Sequence, residues 1–156
     1  MDKNTDLQAF LKGNAKPIED IEMIVSKRFV NGEGNPIPWI LRQLTGKESN
    51  NLRKKHTKKI KNKLGRIEEQ FSSEAYQEEF ITSSVVFPDL SNSKLQESYG
   101  ALGAYDLLQK MLSADELANL QIKVSGFAEE EIIENSMDNL IEEAKNWLVA
   151  KMQRQI

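Results

Sequence analysis

The residues in this chain that could do chemistry are few, and His56 is the first of them. It is the only histidine among 156 residues, and there is no cysteine. A lone histidine can act as a general base, but between Leu52 and Ile60 on a helical stripe a structural role is more common. Without a second histidine or a thiolate, it has no obvious partners for a metal site. The sequence also lacks a glycine-rich phosphate loop and a nucleophile elbow, so we predict no catalysis, cofactor or metal.

A run of seven basic side chains is the strongest sign of a different function, the binding of nucleic acid. On one helix, these cations could contact successive phosphates. No aromatic residue interrupts the run to stack on a base, and the chain has a net charge of −3. We therefore expect no nucleic-acid partner, and we keep a nucleic-acid-binding regulator as an alternative. The run consists of Arg53, Lys54, Lys55, Lys58, Lys59, Lys61 and Lys63.

An acidic cluster near residue 130 is the remaining candidate site. Glu129, Glu130, Glu131 and Glu134 could bind a cation through their oxygens. Glutamates in the first turn of a helix are also stabilised by the helix dipole without any ligand. We predict that they begin a helix and hold no metal.

Charge is divided unevenly along the chain. Residues 1–66 carry 15 Lys and Arg against 7 Asp and Glu, whereas residues 67–156 carry 6 against 17. This division predicts a lobe at 1–66, made of a β-hairpin and a basic helix, and an acidic helical lobe at 67–156, together one compact unit. No stretch approaches the ~20 apolar residues that cross a bilayer, and the N-terminus lacks an apolar signal core. We therefore expect no membrane partner and no export.

A β-hairpin is the first element that the sequence predicts with a clear pattern. Between Ile18 and Phe29 apolar and polar residues alternate, which is typical of a half-buried strand. A turn cluster follows at residues 31–35, and 37–44 predicts a second strand. Because Pro36 and Pro38 cannot donate hydrogen bonds to a ladder, this strand should begin at a sheet edge.

Helices are predicted for most of the remaining chain. Residues 45–48 form a capping box, and the helix that they open should run to about Lys63, with a linker at 66–71. Ser72, Ser93 and Ser113 are the predicted caps of later helices, and Phe87-Pro88 should end the first of these.

The last helix is predicted to be about 25 residues long and amphipathic. One broad face of this helix carries Ile133, Met137, Leu140, Ile141, Ala144, Trp147, Leu148 and Met152.

The predicted fold class is thus α+β, predominantly helical, with an N-terminal antiparallel β-hairpin followed by a multi-helix bundle.

Four patches of the sequence together resemble one protein family. They are residues 10–12 with 22–29, 34–39 with 52–59, 85–90 with 95–100 and 107–112, and 142–146. From about Leu7 to Trp147 the chain is similar to the phage tail assembly chaperones, in the XkdN-like branch found in phages and prophages of Gram-positive bacteria. The third patch is the most specific. Its motif residues are Val86, Phe87, Pro88, Leu90, Leu95, Gln96, Ser98, Tyr99, Gly100, Gly103, Leu107, Leu108 and Met111.

The resemblance implies a non-catalytic protein that acts in the host cytoplasm and is absent from the mature virion. Such chaperones are thought to bind the phage tape measure protein, keep it soluble and help recruit tail tube subunits. A structural tail component that stays in the virion is an alternative. The family also implies a programmed frameshift, for which the codons of Ala144-Lys145-Asn146 can supply a slippery adenine run.

The apolar face of the last helix suits such a client, because an amphipathic helix can cover apolar helical surface. The same face could instead be the core of the domain, which we expect for most of its residues, leaving Trp147 and Met152 as the better contacts. The partner-binding candidates are Ile133, Met137, Leu140, Ile141, Trp147, Leu148 and Met152.

Overall fold

The computed structural model describes the backbone of residues 3–154, and the side chains of residues 6–126 and 138–154. Within these limits the chain is an α+β fold in which helices predominate, as predicted. The helices are α1 (Lys3–Gln8), α2 (Gly46–Lys55), α3 (Ser73–Ser84), α4 (Ser93–Tyr99), α5 (Ala104–Met111), α6 (Ala114–Ser125) and α7 (Phe127–Gln153). The strands are β1 (Ile21–Met23), β2 (Trp39–Leu41), β3 (Thr57–Lys61), β4 (Ile67–Phe71) and β5 (Val85–Phe87).

The predicted N-terminal hairpin is present as β1 and β2, both shorter than expected. The strands are antiparallel, with Met23 opposite Trp39, and the Asn31 side chain accepts hydrogen bonds from two amides of the connecting turn. The prediction that the second strand begins at an edge is wrong, because the strand order is β1-β2-β5. Pro36 and Pro38 precede the paired residues of β2, so their missing donors leave the ladder intact.

The predicted long basic helix is wrong beyond residue 55. Its capping box is present, with the Thr45 hydroxyl accepting from the Glu48 amide, but α2 ends at Lys55 and the chain turns into the hairpin β3–β4. Lys59 lies opposite Glu69 in this hairpin. In a helix, these lysines would instead lie three and four residues apart on the same face, where their like charges repel each other. The linker predicted at 66–71 is therefore mostly strand β4.

Two predicted helix boundaries near the motif also differ from the structure. The helix capped by Ser72 ends at Ser84 rather than at Phe87-Pro88, because Val85–Phe87 leaves the helix to pair with β2. The next helix is capped by Asn92, whose side chain accepts from the Leu95 amide, and not by Ser93. The box at Ser113 and Glu116 is confirmed.

The core lies where α3, α5 and α6 pack beside the three-stranded sheet. Leu107, Leu108 and Met111 place one buried face of α5 into it, at the spacing of an amphipathic helix. The sheet takes two strands from before residue 66 and one from after it. The division of the chain into lobes at that residue stays a prediction. The buried apolar residues are Val25, Trp39, Leu41, Ile81, Val85, Leu90, Ala101, Leu107, Leu108, Met111, Leu112, Leu120 and Val124.

Arg28 ties the N-terminal segment to the helices. Its guanidinium donates to the Met111 carbonyl at 2.6 Å and to the Glu116 carboxylate at 2.8 Å. This contact and the hydrogen bond from the Ser113 amide lower the pKa of Glu116 from an ordinary 4.5 to about 2. The carboxylate therefore serves as both a helix cap and an ion-pair partner across the fold.

Candidate functional site

The second half of α7 carries more exposed large apolar side chains than any other described helix or strand. This helix has 27 residues and is therefore about 40 Å long. All described side chains from Asp138 to Arg154 are exposed. The predicted apolar face is present there as a stripe, which we call the α7 stripe and which consists of Leu140, Ile141, Ala144, Trp147, Leu148 and Met152.

The expectation that most of this face belongs to the core is wrong for the described part. Leu140 is 64% exposed and Ile141 is 51% exposed, although both lie on the predicted inner face. The periodic pattern is that of an amphipathic helix, but the described part of the chain supplies no element that buries this face. Ile133 and Met137 lie outside the described side chains.

The two residues that we singled out at the end of the stripe are among its most exposed. Trp147 is 61% exposed and Met152 is 69% exposed. The ammonium group of Lys151 lies 4.9 Å from the centroid of the Trp147 ring, a cation–π contact at the surface. The stripe therefore presents large apolar side chains next to a positive charge. Sequence analysis did not include Val149, which is also exposed but lies about 140° around the helix from Ala144.

The residues of the family motif serve mainly to build the fold. Leu90, Leu107, Leu108 and Met111 are buried in the core. Gln96 donates from its amide to the Leu90 carbonyl at 2.8 Å, which holds the start of α4 against the preceding loop. Leu95, Tyr99 and Pro88 are partly buried, whereas Ser98 is exposed.

Four further motif residues lie at surfaces or turns. Val86 and Phe87 are about half exposed on β5. Gly100 ends α4 in the left-handed conformation with φ 61°, and Gly103 begins α5 with φ 99°. Glycine is required at both positions because residues that carry a side chain rarely adopt such backbone conformations. A motif of this kind marks a shared fold more than a shared reaction.

His56 lies in a cleft of about 530 Å³ between the β3–β4 hairpin and the first turn of α3. Its Nε2 atom contacts a Glu79 carboxylate oxygen at 2.5 Å, and the other oxygen accepts from Lys55 at 2.6 Å. Lys55 first and then His56 lower the pKa of Glu79. The Ser72 hydroxyl, which also lines the cleft, accepts from the Ala75 amide as a helix cap. These contacts support the structural role predicted for His56, since they join α2 to α3.

The basic run does not form one helical surface. Its first three members lie on the last turn of α2, the next three on β3, and Lys63 in the turn that follows. Glu68 and Glu69 on β4 pair with the strand that carries Lys58 and Lys59. Two carboxylates therefore lie on the strand beside these lysines and lower the net positive charge of the hairpin, which weakens the case for phosphate binding.

The β3–β4 hairpin carries apolar residues that sequence analysis placed on a helix or in a linker. Ile60, Leu64, Ile67 and Phe71 are all exposed there. The signal that could have revealed the hairpin is the sequence Asn62-Lys-Leu-Gly65. Asn62 accepts from two amides of this turn, and Gly65 has φ 75°.

Other site types are not represented among the side chains that the structure describes. No group of three or more His, Asp or Glu residues there is placed to hold a metal ion. The glutamate cluster at 129–134 lies outside the described side chains. Among the described residues, no helix is both long enough and apolar enough to cross a bilayer.

Comparison with known sequences identifies the family to which the chain belongs. The sequence model described as phage XkdN-like tail assembly chaperone protein matches residues 7–145. The chain belongs to this family. The shared region ends inside α7, so the last part of the α7 stripe lies beyond the matched residues. A chaperone family implies a role in phage tail assembly without catalysis.

Relatives in Bacillus subtilis (strain 168) agree with this assignment. The chain is 32% identical over 147 residues to the phage-like element PBSX protein XkdN, an alignment that covers 90% of this chain and 94% of XkdN. It is 30% identical over 151 residues to YqbN, covering 93% of this chain and 96% of YqbN. The crystal structure of YqbN is similar in fold, with a TM-score of 0.63 at 26% identity, and the similarity covers 78% of this chain and 96% of the YqbN chain.

Proposed function

We propose that this chaperone binds the tape measure protein of its phage through the α7 stripe and keeps that protein soluble until the tail tube encloses it. The observation that carries the proposal is the exposure of Leu140, Ile141, Trp147, Leu148 and Met152 along one helix face. Large contiguous apolar patches are uncommon on monomeric proteins and mark interaction sites.

The physical reason for binding is the removal of this face from water. Fully burying a Leu, Ile or Met side chain contributes about 1.5–3 kcal/mol. Because these side chains are each at least half exposed, covering them contributes roughly half of that per residue. A long helical client would receive the stripe in the helix-in-groove manner, with anchors spaced three and four residues apart.

A reversible contact of this kind fits a chaperone better than a permanent part of the particle. We propose that the protein acts in the host cytoplasm, helps recruit tail tube subunits to the bound client, and is left out of the mature virion. It needs no cofactor for this work and catalyses no reaction. The alternative, a structural tail component, predicts the chain in purified particles at a fixed ratio to the tail proteins, which mass spectrometry measures.

Co-expression of the chain with the tape measure protein tests the main proposal. We expect the wild-type chain to raise the soluble fraction of the tape measure protein, and Ile141→Ser/Leu148→Ser to abolish that effect. The matched control is Glu142→Ser/Asn146→Ser, which changes two exposed residues on the opposite side of the same helix and should leave the effect intact.

Circular dichroism of the purified variants shows whether the helix content is kept. A tape measure protein that stays equally soluble with either double variant would contradict the assignment to the stripe. One that precipitates with the wild-type chain as it does alone would contradict the proposed function.

A further inference from the structure

Charge along α7 is segregated at the middle of the α7 stripe. Between residues 127 and 153, all seven acidic residues precede Ala144, and both basic residues, Lys145 and Lys151, follow it. Arg154, just beyond the helix, extends the basic end. The helix therefore has an acidic first half and a basic end, with the exposed apolar face running across the boundary between them.

A helix whose apolar face is exposed along residues 138–154 is an unfavourable arrangement in water. Isolated helices are marginally stable, and most helical stability in proteins comes from packing an apolar face. From Asp138 onward, the described side chains are exposed, so the residues that the structure describes do not supply that packing. A partner for this surface should be apolar along one helical face, basic beside the acidic half of α7 and acidic beside the basic end.

A second copy of α7 meets all three requirements when it runs in the opposite direction. We propose that, in the absence of a client, the α7 stripe is covered by the same stripe of a second chain, in an antiparallel pair centred near Ala144. A parallel pair would place the acidic residues of the two copies side by side, which is repulsive. An antiparallel pair centred at Ala144 instead sets Glu143 of one copy opposite Lys145 of the other, and Glu134 opposite Arg154. Such an arrangement closes on itself with two-fold symmetry and forms a dimer instead of a filament.

The small side chain of Ala144 suits the centre of this pair. Two helices can approach closely where a small residue lies between larger ones, and Ala144 is flanked on the stripe by Ile141 and Leu148. The inference concerns the chain by itself and does not depend on the identity of any client.

Analytical ultracentrifugation of the purified full chain, from micromolar to near-millimolar concentration, tests the association. We expect a reversible monomer–dimer equilibrium, with an association constant lowered at least about 100-fold by Ile141→Ser/Leu148→Ser. The control Glu142→Ser/Asn146→Ser should change it little, because both residues lie opposite the stripe. A chain that stays monomeric throughout, or a dimer that the stripe variant leaves unchanged, would overturn the proposal.

Disulfide formation tests the direction of the pair, since the chain contains no cysteine of its own. Near the centre of an antiparallel pair, Ala144→Cys brings two thiols together and should cross-link readily under mild oxidation. Met152→Cys lies eight residues, about 12 Å, from the centre, so the two copies are about 24 Å apart, too far for a disulfide. Asn146→Cys, facing away, is the control for random collision.

Equal cross-linking at residues 144 and 152 would overturn the antiparallel arrangement. The outcomes also separate this inference from the proposed function. A chain that is monomeric but still keeps the tape measure protein soluble would refute only the proposed dimer. A chain that dimerises but does not affect the solubility of the tape measure protein would refute only the proposed function.

Discussion

Replacing one leucine in the core and one on the α7 stripe by alanine should separate the residues that build the fold from those that bind. Leu108 is 0% exposed among the residues of the core, whereas Leu148 is 53% exposed. The chemical change is the same at both positions. Leu108→Ala removes buried methyl groups and leaves a cavity, so we expect the free energy of unfolding to fall by about 3 kcal/mol or more. Leu148→Ala should lower it by less than about 0.5 kcal/mol.

Urea denaturation followed by tryptophan fluorescence measures both changes. Trp39 is buried and reports unfolding of the core, whereas Trp147 is already exposed and contributes a nearly constant signal. The measurement is made at low chain concentration, where self-association adds nothing to stability. If the free energy of unfolding depends on urea concentration with the same slope in both variants, the two transitions can be compared directly. If Leu148→Ala cost as much as Leu108→Ala, the stripe would be part of the core and the reasoning from its exposure would be refuted.

Three further changes test other parts of the fold. Glu116→Gln should lower the free energy of unfolding by up to about 1 kcal/mol at pH 7 through loss of the Arg28 ion pair, because the glutamine side chain can still accept from the Ser113 amide. Because the pKa of Glu116 is lowered in the folded state to about 2, this stabilisation is complete above pH 4.5 and is lost as the pH falls toward 2. Denaturation at several pH values should therefore show the variant and the wild type converging in acid, and a constant difference would count against the ion pair. Gly103→Ala should destabilise by about 1–3 kcal/mol, because alanine is strained at φ 99°, and a thermal midpoint equal to that of the wild type would contradict this. Lys58→Gln/Lys59→Gln should not change the affinity of the chain for duplex DNA, measured by filter binding in low salt. A clear loss of affinity in this variant would show that the hairpin binds phosphates.

Local interactions explain the features that could be predicted from the sequence. The capping boxes at Thr45 and Ser113 are confirmed because a cap is completed by residues three positions apart, whatever the rest of the chain does. The hairpin β1–β2 follows from the alternation of its residues and the short turn between the strands. The same holds for the length of α7, whose apolar spacing is that of a helix throughout.

Pairing between distant segments explains the features that could not be predicted. The spacing of Leu52, His56, Ile60 and Leu64 fits a helix, but Lys59 lies opposite the acidic Glu69 of β4 only in a hairpin. Val85–Phe87 forms a strand because β2 offers an open side about 45 residues earlier in the chain. Neither partner is visible in a local pattern.

By itself, the sequence determined which segments are amphipathic, where most of the described helices begin, and that the chain resembles the tail assembly chaperones. The tertiary structure alone decided which apolar faces are buried. Leu107 and Leu148 occupy equivalent places in two amphipathic helices, yet one is in the core and the other is in water. The difference arises because burial depends on whether another element packs on that face, and periodicity describes only the helix that carries it.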